Sequence, residues 1–193
     1  MIQDPPPKSI WNIPNALTAL RFVLAIVVFV LIPLQWFFAA FVVFVIAAST
    51  DWVDGYWARR FGQTTQLGRI FDPFVDKIII CGAFIFLAAE SGSGIVAWMA
   101  VVVVAREMLV TALRGFIEQH GGDFSAKMSG KLKMVFQCIA AGASLLVLSY
   151  ADAAPPDWMA GTLVVSVWLA VLSTIYSGLE YVVVALRSLQ QAG

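Results

Sequence analysis

Charge is scarce in this chain: only 12% of its 193 residues are Asp, Glu, Lys or Arg, about half the share of an ordinary soluble domain. Histidine occurs once and cysteine twice. Cys81 and Cys138 both fall inside apolar runs, so they read as reduced packing residues and say little about compartment. His120 falls in a polar join and reads as solvated. The start, with Asp4, Pro5, Pro6, Pro7 and Lys8, is polar and proline-rich, and no removable leader is expected. No internal repeat is apparent. What is abundant is hydrocarbon, with 61% of residues hydrophobic. This composition argues against a soluble domain with one anchor and predicts an integral membrane protein.

Six hydrophobic segments follow one another, at about 13–32, 34–50, 73–89, 95–116, 132–150 and 159–186. Each is near the roughly 20 residues that a membrane-spanning helix needs. The expected fold is all-α, a polytopic membrane protein with six transmembrane helices. Residues 1–12 form an N-terminal interfacial segment, with a short helix over 5–11 and Trp11 as an aromatic anchor. Residues 13–193 form the six-helix domain. Lys8, Arg59, Arg60, Arg69, Lys77, Arg114, Lys127, Lys131, Lys133 and Arg187 fall at the N-terminus, the second join, the fourth join or the C-terminus. The first, third and fifth joins contain no Lys or Arg. Positive residues stay on the cytoplasmic side, so both termini are expected there. Arg21 and Arg106 lie deeper, within apolar segments, where a charge is expected to face a polar cavity. Gly142 and Gly178 read as residues that let helices approach closely.

Four aspartates gather at the predicted cytoplasmic edge. Asp51 and Asp54 stand three apart, and Asp72 and Asp76 stand four apart, so on helices each pair shares one face. Close carboxylates repel and raise one another's pKa unless a cation lies between them. A set of oxygen ligands with no Cys or His nearby suits Mg2+ or Mn2+ rather than zinc. Gly55 removes a side chain beside the ions, and the guanidinium of Arg59 suits a phosphate oxygen. The bland alternative is a solvated loop in which these aspartates pair with Arg59, Arg60, Arg69 and Lys77.

The run Asp51-x2-Asp54-Gly55-x2-Ala58-Arg59-x8-Gly68-x3-Asp72-x3-Asp76 resembles, at every fixed position, the signature of the CDP-alcohol phosphatidyltransferase family. Eight specified positions match by chance about once in ten billion starts, at about 5% usage per residue type. The resemblance extends over Asn12, Asn15, Thr18 and Arg21, over Arg106, Glu107 and Arg114, and over Gly130, Lys131 and Lys133. It closes with Ser177, Gly178 and Tyr181. It therefore covers essentially the whole chain and points to the branch of the family whose acceptor is glycerol 3-phosphate.

This resemblance implies transfer of a phosphatidyl group from CDP-diacylglycerol to the primary hydroxyl of glycerol 3-phosphate. Asp51, Asp54, Asp72 and Asp76 are then ligands of Mg2+ or Mn2+, two ions, with Asp76 also the general base. Asn15, Thr18, Gly55, Arg59 and Thr65 are implied to contact CDP-diacylglycerol; for Asn15 and Thr18 the alternative is capping of the first helix. The acceptor's own phosphate calls for a second cationic pocket, expected at Arg106, Arg114 and Lys131. For Arg106 the alternative is an ion pair with Glu107 or Glu180, and Glu107 is expected to be a poor partner because adjacent helix residues diverge. Lys133 and Lys127 are expected at the interface, attracting anionic headgroups. The implied setting is the plasma (inner) membrane with membrane lipid as surroundings, the site facing the cytoplasm, a homodimer as the assembly and no nucleic-acid partner. Two alternatives stay open. One is the same chemistry with inositol phosphate, serine or phosphatidylglycerol as acceptor. The other is a carboxylate-lined cation transporter.

Overall fold

The computed structural model describes residues 13–61, 66–119, 128–150 and 155–192. For 13–14, 51–61, 66–70, 72, 118–119 and 188–192 the description stops at the backbone. The described residues form six helices and no strand: α1 (Ile13–Leu31), α2 (Phe37–Phe61), α3 (Gln66–Ala88), α4 (Ala97–Gln119), α5 (Met128–Leu148) and α6 (Asp157–Ala192). The segment 1–12, with its expected interfacial helix, and His120 and Lys127 lie outside the described residues.

The faces of these helices are sorted by size. Ala25, Ala40, Ala47, Ala83, Ala140, Ala141 and Ala170 are wholly buried, with Phe44, Phe84, Leu87 and Val167 filling the spaces between them. Small residues let helix backbones come close, which is how helices pack when lipid offers no hydrophobic contrast. Large apolar side chains point outward instead: Phe38, Val101, Met108, Trp158, Leu172 and Leu179 are all exposed. An apolar surface this extensive is foreign to a water-soluble monomer and marks membrane association. Helices α5 and α6 are long and apolar enough to cross a membrane, and α1 and α2 carry shorter apolar stretches, Asn15–Leu31 and Phe37–Thr50.

The helices run past the apolar segments. The second join is expected between the apolar segments 34–50 and 73–89, in the polar stretch 59–72, yet α2 continues to Phe61 and α3 begins at Gln66. Likewise α5 starts at Met128 and includes Lys131 and Lys133. Hydropathy measures the length of chain that suits hydrocarbon, whereas helix hydrogen bonds form regardless of side-chain polarity. The four aspartates, and the basic residues among the described ones, consequently stand on continuous helices rather than on loops.

Two connections are closely specified. After α1, Gln35 adopts a left-handed φ of 60°. The Gln35 and Trp36 amides donate to Ile32 O at 2.8 Å and Leu31 O at 3.1 Å, closing the helix end. Between α3 and α4, Ser93 is buried and its carbonyl accepts from Ser144 Oγ of α5 at 2.7 Å. Helix α1 packs against both α2 and α3, α5 against α2, α3 and α6, and α4 against α3 and α6. One end of α3, α4, α5 and α6 thus converges on a shared space.

Candidate active site

The four aspartates fall on two helices. Asp51, Asp54, Gly55 and Arg59 lie on α2, and Asp72 and Asp76 on α3. Spacings of three and four within continuous helices place each pair along one helix face. Of these residues only Asp76 has a described side chain, and Thr65 lies outside the described residues. Asp76 Oδ1 accepts from Arg21 Nη1 of α1 at 2.5 Å. Arg21 Nε donates to Thr50 Oγ1 at 3.4 Å, and Thr50 directly precedes Asp51. Arg21 is 2% exposed. One guanidinium therefore ties the start of the first aspartate pair to the end of the second.

Asp76 also opens onto a cavity of about 530 Å3. Helix α3 contributes Asp76 and Lys77, α4 contributes Arg106, Glu107 and Arg114, and α5 contributes Lys131 and Lys133. Five cations face two carboxylates, a formal excess of three positive charges (5 − 2). The residues expected to form the second cationic pocket, Arg106, Arg114 and Lys131, share this one space with the expected base. A cavity walled by this excess of fixed positive charge is built for an anion.

Arg106 anchors the wall. Its Nη2 donates to Ser177 Oγ of α6 at 2.5 Å, and its guanidinium lies 5.3 Å from the centre of the Tyr181 ring. Its Nη1 donates to Glu107 Oε1 at 3.2 Å. The sequence argument against Glu107 as a partner is therefore overturned. Adjacent Cα–Cβ bonds diverge on a helix, but both side chains are long and bend into the same cavity. Glu180, the other partner considered, accepts from Ser129 Oγ at 2.5 Å. Lys133 is a second correction. It was expected at the interface, yet it is 6% exposed and forms an ion pair with the same Glu107 oxygen. A buried charge needs such a partner, and the cavity supplies one.

Glycines make room for this arrangement. A Cβ at Gly178 would stand 3.2 Å from Arg106 Cγ, and one at Gly130 would stand 3.1 Å from Tyr181 Oη. Gly142, by contrast, would meet Phe41 only at an ordinary 3.6 Å. Three buried side-chain atoms among the described residues lack a hydrogen-bond partner: Arg106 Nε, Arg114 Nε and Gln137 Oε1. All three residues line the cavity.

Asn15 and Thr18 sit elsewhere. They line an apolar groove of about 310 Å3 between α1 and α3, with Phe22, Phe71 and Phe74 as its walls. Helix α1 already runs at Ile13, so both residues lie inside it rather than at its cap position. Sequence reasoning did not single out Glu107, Lys133, Lys77, Gln137 or Tyr181 as site residues. A usable signal existed for two of them: Lys133 and Gln137 are polar, four apart, in an apolar segment, where ionisable and amide groups face the interior.

The family model described as CDP-alcohol phosphatidyltransferase matches residues 11–186. A protein of Bacillus subtilis (strain 168) named CDP-diacylglycerol–glycerol-3-phosphate 3-phosphatidyltransferase is 33% identical over 194 residues, covering 89% of this chain and 93% of its own. A protein of the same name from Escherichia coli (strain K12) is 34% identical over 177 residues, with the same coverage.

Proposed function

The chain belongs to the CDP-alcohol phosphatidyltransferase family, and on that premise we propose that it transfers the phosphatidyl group of CDP-diacylglycerol to glycerol 3-phosphate, releasing CMP. In this reaction the acceptor hydroxyl forms a P–O bond to the phosphatidyl phosphorus. The P–O bond to CMP breaks, and the hydroxyl proton leaves to a base.

Asp51, Asp54, Asp72 and Asp76 are the residues that would hold divalent cations, two ions of Mg2+ or Mn2+. The donor set fits: it is all carboxylate oxygen. The environment of Asp76 fits as well, since its carboxylate already draws a positive group, the Arg21 guanidinium, to 2.5 Å. When bound, the ions would neutralise the donor's diphosphate and orient it for in-line displacement.

The remaining work falls to side chains of this chain. Gly55, Arg59 and Thr65 contact the cytidine diphosphate, together with Asn15 and Thr18. The groove beside Asn15 and Thr18 is walled by Phe22, Phe71 and Phe74, which suits the hydrocarbon of the lipid donor. Arg106, Arg114 and Lys131 bind the acceptor's phosphate, and Lys133 joins them. Two of these cations, Arg106 and Arg114, each keep a buried N–H without a protein partner, which an anionic oxygen would accept. Asp76 lines the same cavity and takes the proton from the attacking hydroxyl. Glu107 holds Arg106 and Lys133 together before the acceptor arrives.

The same reading carries a topology. Six spans with both termini in the cytoplasm put every Lys and Arg of the joins on one side. The enzyme sits in the plasma (inner) membrane as a homodimer. Nucleotide and acceptor enter from the cytoplasm while the acyl chains stay in lipid.

The observation that carries the proposal is one cavity holding Asp76 together with Arg106, Arg114 and Lys131. The test is CMP release by the purified chain from CDP-diacylglycerol and glycerol 3-phosphate with Mg2+. Asp76→Asn should lower kcat by about 10²–10⁴, the range for a general base. Normal turnover in that variant, or no product with glycerol 3-phosphate while another alcohol reacts, would reject the assignment.

A further inference from the structure

Two of the three partnerless buried atoms are N–H donors on Arg106 and Arg114, which an anion satisfies. The third is of the opposite kind. Gln137 Oε1 is an acceptor, on a side chain that is wholly buried and lines the same cavity. Its orientation follows from its neighbours. Thr174 Oγ1 donates its single proton to Ala170 O at 2.6 Å. The Thr174 hydroxyl can then only accept from the amide, and Gln137 Nε2 donates to it at 2.9 Å. Exchanging the amide's oxygen and nitrogen would set an oxygen against an oxygen. The end of the amide left without a partner, on a residue that lines the cavity, is therefore the carbonyl oxygen.

Gln137 lies one helical turn beyond Lys133 on α5, on the same face and about 6 Å further along the axis. Ile80 of α3 lines the cavity together with Gln137 and provides no polar group. A small anionic molecule held by Arg106 and Lys133, with its reacting hydroxyl at Asp76, would have its remaining polar group to satisfy. An acceptor oxygen in this position calls for a hydroxyl donor.

We propose that Gln137 Oε1 accepts a hydrogen bond from the non-reacting hydroxyl of the acceptor, so that Gln137 selects a phosphorylated polyol over a phosphorylated simple alcohol. This deepens the transferase reading and rests on it. Of the hydroxyls of glycerol 3-phosphate, one reacts and one remains, and the remaining one is the group that Gln137 reads. A site built to hydrogen-bond a substrate hydroxyl disfavours the analogue that lacks it, because its own polar atom is left unpaired. Gln137 is thus a specificity-determining residue, distinct from the cations that hold the phosphate.

The test compares two acceptors in the full-length protein, with CDP-diacylglycerol and Mg2+. One is glycerol 3-phosphate; the other is 3-hydroxypropyl phosphate, which lacks only the middle hydroxyl. The wild type should favour glycerol 3-phosphate by at least about tenfold in kcat/KM. Gln137→Met should bring glycerol 3-phosphate down to the level of the deoxy acceptor while changing the latter by less than about twofold. Equal losses for both acceptors would assign Gln137 a structural or water-binding role and overturn the proposal. Equal use of both by the wild type would overturn it as well. Should Gln137→Met fail to fold, Gln137→Leu, which likewise carries no polar atom, takes its place and should also erase the preference; a preference kept by that variant would overturn the proposal. A wild type that turns over neither acceptor sinks the transferase reading itself, which separates the two failures.

Discussion

Removing the Arg21 guanidinium tests how the aspartate site is held together. Arg21 is 2% exposed and Asp76 has 23% of its side chain exposed, with 2.5 Å between Nη1 and Oδ1. Breaking a buried pair by removing one partner costs about 3–5 kcal/mol, because the other charge is left uncompensated. The two single variants should differ. Asp76→Asn takes a carboxylate from a nearly inaccessible guanidinium that keeps its bond to Thr50, so about 3–4 kcal/mol is expected. Arg21→Met takes the guanidinium from a carboxylate that water reaches through the cavity, so about 2–3 kcal/mol is expected. In a chain of this size that is a fall of roughly 4–12 °C in Tm. The double variant, with both charges gone, should be milder than the sum of the two by at least about 1 kcal/mol. Thermal unfolding in detergent with a chelator present measures all three. Adding Mg2+ should then restore much of the loss in Arg21→Met, since the carboxylate regains a cation, and little in Asp76→Asn. Strict additivity would show that the pair is not coupled. Equal Mg2+ effects on the two single variants would show that Asp76 is not where a cation acts.

Two more outcomes follow from the packing. Gly178→Ala would bring a Cβ to 3.2 Å from Arg106 Cγ, forcing the guanidinium to shift by a few tenths of an ångström. The KM for glycerol 3-phosphate should rise by about fivefold to tenfold, about 1 kcal/mol, with the KM for CDP-diacylglycerol unchanged in steady-state assays. Ser144→Ala removes the buried 2.7 Å bond to Ser93 O, remote from the cavity. It should lower stability by about 1–3 kcal/mol in thermal unfolding and leave both KM values alone.

The helical fold was legible because apolar runs near 20 residues are a long-range signal that needs no tertiary context. Helix ends were not, since α2 and α3 carry polar residues through the stretch expected as a join. The identity of the cationic wall was partly legible. Arg106 stood out because a charge in an apolar run needs a reason, and Arg114 and Lys131 followed from the need to hold a second phosphate. Lys133 was misplaced because a lysine near a segment end looks the same in sequence whether it points to headgroups or inward. Only the tertiary fold distinguishes the two, by bringing Glu107 of α4 and Lys133 of α5 to one cavity. Gln137 could be noticed only as a polar residue in an apolar segment; its unpaired oxygen is a property of its neighbours Thr174 and Ala170.

The ties from Arg106 and Glu107 to α5 and α6 have a consequence for biogenesis. Helix α4 brings an arginine and a glutamate into a hydrophobic environment, and each central charge opposes insertion by roughly 2.5–3.5 kcal/mol. Their partners Lys133, Ser177 and Tyr181 come later in the chain. A ribosome adding about 5–20 residues per second supplies Tyr181 several seconds after Arg106. During that interval Arg106 and Glu107 have one another within α4 but lack Lys133, Ser177 and Tyr181. On the proposed six-span topology the settling of α4 in the bilayer then waits for the last two helices, so truncation before α6 should leave a chain that the cell's membrane quality control sees as misinserted rather than merely inactive.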